Sequence, residues 1–384
     1  MSKDIHILLA PDSFKGSLRA PQICTHLKDG ILESGFTASL TNLPLADGGE
    51  GTVEAVIESM DGSYCNAIVH DPFMRPIEAS YGMIEESRTA VIEMAAASGL
   101  ELIGTDEANP MIATTYGTGE LILDALDRGC RQFIIGIGGS ATNDGGAGML
   151  EALGATFVPD PTHTQRSIKG GGNLIHLTSV DLTTLDDRLQ DAHFQIACDV
   201  TNPLLGTQGA TQIYATQKGA HPEQLSLLEA SLEHWGQLLE KAAGHSIIEI
   251  PGSGAAGGLG AGFLAFPSVE LASGFELIKD LISLEGHIQK ADLIITGEGK
   301  VDRQTIYGKV VSGVGKLAQK YNKPVICLAG TLGPGSDQLY PYGITALFSI
   351  VNRPMTLDEA MELTPELLRQ SGRNLMGLFH AFCN

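Results

Sequence analysis

The chain alternates two kinds of hydrophobic pattern. Residues 5–10 (IHILLA) form a short, nearly continuous apolar run; after a polar turn, Ile23, Leu27 and Ile31 recur at fourfold spacing behind Pro21. The first pattern predicts a strand buried on both faces, and the second a helix entered at a proline. The pair then repeats. ASLTNL predicts a strand, ADGGEGT a loop, and Val53, Val56, Ile57 and Met60 the inner face of a second helix. Two consecutive β-loop-α units imply a parallel sheet covered by helices.

The far end shows the same grammar in ADLIITGEGKVD, KPVICLAGTLG and ITALFSIV, with a helix expected over 310–321. The sequence between differs. The β-like stretches IEASYGMI and TAVIEMAAASG lead into a helical TGELILDALDRG, a strand QFIIGIGG, a strand FQIACD, an amphipathic helix around 225–242 and the glycine-rich IIEIPGSGAAGGLGAGFLAF. The expected fold is therefore α/β in two domains. Residues 1–70 and 287–384 build a discontinuous, doubly wound parallel-sheet domain, and residues 71–286 an inserted α/β domain with glycine-rich loops.

At 384 residues the chain exceeds what one hydrophobic core usually serves, which agrees with two domains. Its 47 glycines follow no repeat, so the excess sits in discrete loops. A net charge of −21 disfavours nucleic acid and anionic membrane surfaces as partners. The six cysteines form no CxxC pair and read as reduced, buried thiols. The opening residues lack a signal-peptide pattern, and no apolar stretch approaches the ~18 residues of a membrane span, so a cytoplasmic protein is expected.

Five loops share one design, in which a strand end meets glycines with an acidic or hydroxyl residue. They are APDSFKGS (Asp12, Ser13, Lys15), LADGGEGT (Asp47, Glu50, Thr52), GGSATNDGG (Ser140, Thr142, Asn143, Asp144), CDVTNP (Asp199, Thr201, Asn202) and TGEGKVD (Thr296, Glu298, Lys300, Asp302). Ends of strands line the ligand crevice in open α/β sheets. No GxxxxGK[ST] loop occurs, whereas Gly136, Gly138 and Ala141 and, separately, Gly252, Gly254 and Gly257 match a dinucleotide fingerprint. Two matches in so glycine-rich a chain make each of them weak. A carboxylate such as Asp144 beside a bare pyrophosphate is repelled, while Mg²⁺ carried by a nucleoside triphosphate welcomes it. Asp144 either faces such a metal or caps the helix that follows. Lys15, Lys300, Lys309 and Arg75 can neutralise anions; the scattered histidines, His70, His163, His176, His193 and His221 among them, show no metal spacing.

Together, APDSFKGSL, PLADGGEGT, YGTGELI, GIGGSATNDGGAGM, CDVTNPL and TGEGKVDRQT resemble the signature blocks of the bacterial glycerate kinase family, in that family's order and over nearly the whole chain. The resemblance implies ATP and Mg²⁺ as cosubstrate and cofactor, D-glycerate as acceptor and 2-phosphoglycerate as the usual product. It also implies one Rossmann- or flavodoxin-like domain built from both termini, with the active site in the cleft between domains. Where the family tends to carry a small capping residue and an acid after FKGSL, this chain has RAPQ, which puts that helix cap in doubt. The blocks mark loops and not roles. On chemical grounds Asp47 or Asp199 is expected to orient the attacking hydroxyl, and Lys15, counted with them as catalytic, to neutralise phosphate or the glycerate carboxylate. Asp144 and Glu298 are expected on the metal side. Asp12, Ser13, Arg75, Gly138, Gly139, Ser140, Asn143, Asn202 and Lys300 are expected to bind substrate or phosphate. An NAD-dependent oxidoreductase and a non-catalytic sugar-acid sensor are the rival readings.

Overall fold

The computed structural model describes residues 5–104, 106–162, 169–306 and 309–383, with 382 and 383 described by backbone alone; His163 lies outside these ranges. Thirteen strands occur among the described residues: β1 (Ile5–Leu9), β2 (Ala38–Asn42), β3 (Ser63–His70), β4 (Pro76–Ile84), β5 (Thr89–Glu93), β6 (Gln132–Gly136), β7 (Thr156–Pro159), β8 (Leu177–Asp181), β9 (His193–Ala197), β10 (Val269–Ala272), β11 (Leu293–Val301), β12 (Val325–Leu332) and β13 (Ala346–Ser349). The chain divides into two compact units. The first comprises Met1–Asp47, Glu54–Asp61 and Phe275–Asn384, and the second Gly48–Val53 and Gly62–Gly274.

The first unit holds a five-stranded sheet in the order β13-β12-β11-β1-β2. Every pairing in it is parallel. Counted along the chain, this is the 2-1-3-4-5 order of flavodoxin-like folds, with its switch point between β1 and β11. Ile7, Leu9, Leu293, Ile295 and Leu328 share one core with Ile23, Leu27 and Ile31 of helix Ala20–Glu33 and with Leu368 and Met376 of helix Thr364–Cys383. Leu8 and Ile294, one residue out of phase, are fully buried on the opposite face. There, helices Leu284–Lys290 and Val310–Lys320 lie against β1, β11 and β12. Helices on both faces explain why these strands read as continuous apolar runs. The doubtful cap resolves locally, because the Gln22 side chain accepts the Arg19 N–H at 3.0 Å and so supplies the return arm of a capping box.

The second unit is built on a six-stranded sheet, β10-β9-β6-β5-β4-β3. Strands β10, β9, β6 and β5 run parallel, while β4 and β3 are antiparallel additions at one edge. The boundary expected near residue 70 thus lies earlier. Strand β3 pairs with β4 from Ser63↔Met83 to His70↔Pro76 and belongs to this sheet, as its alternating rather than continuous burial suits an edge strand. The second boundary falls at residue 274 and not near 287. Phe133 and Phe194 stack at 4.6 Å in the core, with Phe263 and Phe266 beside Phe194. The fully buried Trp235 joins the same cluster from helix Pro222–Ala243.

Candidate active site

In the first unit a cavity of about 350 Å³ opens at the carboxyl ends of the parallel strands. The segment after β1 gives it Asp12, Ser13, Phe14 and Lys15, and the loop after β2 gives Asp47. Glu298, Gly299 and Lys300 come from the end of β11, Gly330 and Thr331 from β12, and Ile350 and Val351 from just beyond β13. This is where an open α/β sheet presents a ligand site, outside the strand ends at a topological switch.

Asp12 is 5% exposed. Burial, reinforced by the charge of Asp47 and then of Glu298, pushes its carboxyl up to about 7, although the Ser13 N–H donated to Oδ1 at 2.6 Å and the charge of Lys15 pull the other way. Glu298, 7% exposed, is also raised, chiefly by burial. The Thr305 hydroxyl donates to its Oε1 at 2.5 Å, and Lys309 Nζ lies 3.9 Å from its Oε2. Lys15 and Lys300 are exposed, the latter paired with Asp302 at 2.9 Å. Buried acids with lysines around them can take up a proton or face a cation at neutral pH.

In the second unit the loop after β6 is built differently. Asp144 is 1% exposed, and burial raises its carboxyl pKa. Its Oδ2 accepts the Thr115 N–H at 2.8 Å, the Thr115 hydroxyl at 3.0 Å, the Thr114 hydroxyl at 3.3 Å and the Gly148 N–H at 3.2 Å, while Oδ1 accepts the Gly146 N–H at 3.2 Å. Asp144 thus makes the capping contacts that were the second of its two expected roles. Its oxygens are engaged by donors at the start of helices Tyr116–Asp127 and Ala147–Ala152, away from solvent. Ser140 is likewise engaged, since Lys218, 2% exposed, donates to its hydroxyl and to the Thr142 carbonyl, both at 2.7 Å. Burial lowers Lys218 to about 7, offset by the charge of Asp144. Asn143 donates to the Thr211 hydroxyl at 3.2 Å, and its Oδ1 has no partner. Gly138 and Gly139 remain exposed.

The second glycine-rich stretch packs on this loop. A Cβ on Gly257 would fall 2.0 Å from the Thr142 carbonyl oxygen, and one on Gly262 would fall 2.8 Å from Gly146 Cα. These glycines, which complete or follow the second dinucleotide-like match, serve backbone contact. Gly257 also has φ +71°. Gly257→Ala is expected to lose about 3 kcal/mol or more, from strain and displaced backbone. Thermal melting followed by circular dichroism should show a drop of roughly 6–12 °C.

The profile described as Glycerate kinase family matches residues 7–380. The chain belongs to the glycerate kinase family. It is 45% identical over 369 residues to a protein of Escherichia coli K12 named glycerate 2-kinase, covering 96% of each chain. It is 44% identical over 369 residues to a glycerate kinase of Halalkalibacterium halodurans, covering 96% of this chain and 97% of that one. A crystal structure from Salmonella typhimurium LT2 assigned as a glycerate kinase 2 superposes with a TM-score of 0.88 at 43% identity, covering 99% of both chains.

Of the residues singled out in the sequence, Asp12, Ser13, Lys15, Asp47, Glu298 and Lys300 converge on the cavity of the first unit. Others are committed elsewhere. Arg75, expected to bind an anion, is paired with Asp71 at 2.5 Å and with Glu107 at 3.3 Å. Asn202 donates to the Gln208 carbonyl at 2.6 Å and accepts the Tyr214 hydroxyl at 2.7 Å, which pins its own loop. Asp199, exposed beyond β9, accepts the Gly274 N–H at 3.2 Å. Sequence reasoning missed Lys218 and Thr305. Lys218 in TQKGA belongs to no motif, and Thr305, though it closes the block TGEGKVDRQT, lies outside the strand-end loop TGEGKVD.

Among the described residues no helix is long and apolar enough to cross a membrane.

Proposed function

We propose that this chain transfers the γ-phosphoryl group of ATP to the 2-hydroxyl of D-glycerate, giving 2-phosphoglycerate and ADP in the cytoplasm. The observation that carries the reading is the cavity of the first unit, where buried carboxylates and a rim of lysines meet at the strand ends of a flavodoxin-order sheet. Family membership supplies the acceptor, and the printed name of the Escherichia coli relative favours the 2-hydroxyl.

Phosphoryl transfer asks a protein mainly for positioning and charge neutralisation. As the hydroxyl oxygen bonds to phosphorus and the bond to the ADP oxygen breaks, the hydroxyl proton needs an acceptor. Asp12 suits that task, because a base works best with a pKa near the working pH and Asp47 helps to hold it there. Lys15 and Lys300 lie where they can pair with the glycerate carboxylate or the phosphates. Among the described residues no group of three His, Cys, Asp or Glu side chains is gathered to hold a metal ion. Mg²⁺ arriving with a nucleotide needs only one or two carboxylates besides phosphate and water, and Glu298, buried and facing cations, fits that donor set. When bound, Mg²⁺ supplies neutralisation of the phosphate oxygens.

The test is ADP release in a coupled assay with ATP, Mg²⁺ and D-glycerate. Turnover should require the acid, and kcat/KM should rise as pH climbs through about 7, where Asp12 loses its proton. ADP release indifferent to D-glycerate contradicts the reading.

A further inference from the structure

The lining of the cavity in the first unit is of two unlike kinds. Asp12, Asp47 and Glu298 are acidic; Ile350, Val351, Leu357, Ala360 and Met361, from the segment after β13 and helix Leu357–Glu362, form an apolar wall. Leu357 is 71% exposed. The two kinds are built together. The Ser17 hydroxyl donates to the Met361 carbonyl at 2.8 Å, fastening the Asp12 loop to the apolar wall. Gly16, at φ +79°, leaves room for the same side chain, since a Cβ there would fall 2.8 Å from Met361 Cε.

Chemistry then selects what lies against the wall. D-glycerate bears oxygen on each of its three carbons, and phosphate has no apolar surface, so neither gains by covering leucine, isoleucine and methionine. A purine base is the one flat, weakly hydrated part of the reactants, and apolar walls with polar groups at one end are the usual seat of such a ring. At about 350 Å³ the cavity is more than a three-carbon acid fills. Parallel sheets of this strand order hold mononucleotides at the same edge.

We propose that the wall of Ile350, Val351, Leu357, Ala360 and Met361 seats the purine base of the nucleotide, with the phosphates running toward the carboxylates. The assignment rests on the kinase reading above.

Two variants test it by isothermal titration with ADP and with adenosine, alongside the KM for D-glycerate. Ala360→Phe fills the wall; Leu357→Gln keeps the size of an exposed side chain and removes its apolar surface. Ala360→Phe should weaken ADP and adenosine alike by about tenfold or more, and Leu357→Gln by about threefold, with the KM for D-glycerate changed less than about twofold. If Ala360→Phe does not fold, Leu357→Gln decides alone. Unchanged ADP affinity in a folded variant overturns the proposal, as does a KM for D-glycerate that rises while ADP binding holds. Wild-type protein that releases no ADP in the presence of D-glycerate defeats the kinase reading instead, an outcome visible before any variant is made.

Discussion

Asp12→Asn should nearly abolish turnover and yet melt at a higher temperature than the wild type at pH 8. The carboxyl of Asp12 is held near 7 in the folded protein against 3.8 for a free side chain. Between those values the folded chain keeps a proton that the unfolded chain has released. Stability contributed at this position therefore falls as pH rises through that window, and the full penalty stands above it. Each tenfold step costs ~1.4 kcal/mol, so the penalty at pH 8 is on the order of 4 kcal/mol. Asparagine keeps an acceptor for the Ser13 N–H and never carries the charge. The gain in melting temperature should shrink as pH is lowered toward 4. Loss of the base should lower kcat by about 10²- to 10⁴-fold. A variant with wild-type kcat and an unchanged melting curve at pH 8 contradicts the assignment.

Asp47→Asn is the second large effect. Asp47 is the neighbouring charge that contributes most to raising Asp12. Its removal should let Asp12 ionise at lower pH, moving the acid limb of the kcat/KM profile downward, while kcat drops far more than thermal stability. A pH series of initial rates reads both. Asp199→Asn is the control, because Asp199 lies in the other unit, on an exposed loop against the Gly274 N–H. If Asp199→Asn lowers kcat and Asp47→Asn does not, the orienting role passes to Asp199.

The two architectures were legible because burial writes itself into the chain. Runs such as IHILL and LIIT occur where helices cover both faces of a strand, and the loops at their ends carry the acids and glycines that ligand sites use. The boundary expected near residue 70 leaves β3 on the wrong side because pairing, and not its own pattern, decides where an edge strand belongs. Asp144 shows a different limit. A carboxylate in a glycine loop looks the same whether it meets a metal or two helix starts, and only the position of Thr115, distant in sequence, separates them. Lys218 carries no mark at all in TQKGA; its burial comes from the fold around it. The apolar wall of the cavity was hidden for the opposite reason, since Ile350, Val351 and Met361 look like ordinary core positions until the cavity beside them is seen.

The central claim is the transfer itself and its position on the acceptor. A ³¹P NMR time course of the purified protein with ATP, Mg²⁺ and D-glycerate reads both, because the phosphoglycerate isomers resonate apart. Growth of the 2-phosphoglycerate signal with matching loss of ATP is the expected result. A 3-phosphoglycerate signal contradicts the regiochemistry, and an unchanged spectrum beside a working control kinase contradicts the reaction.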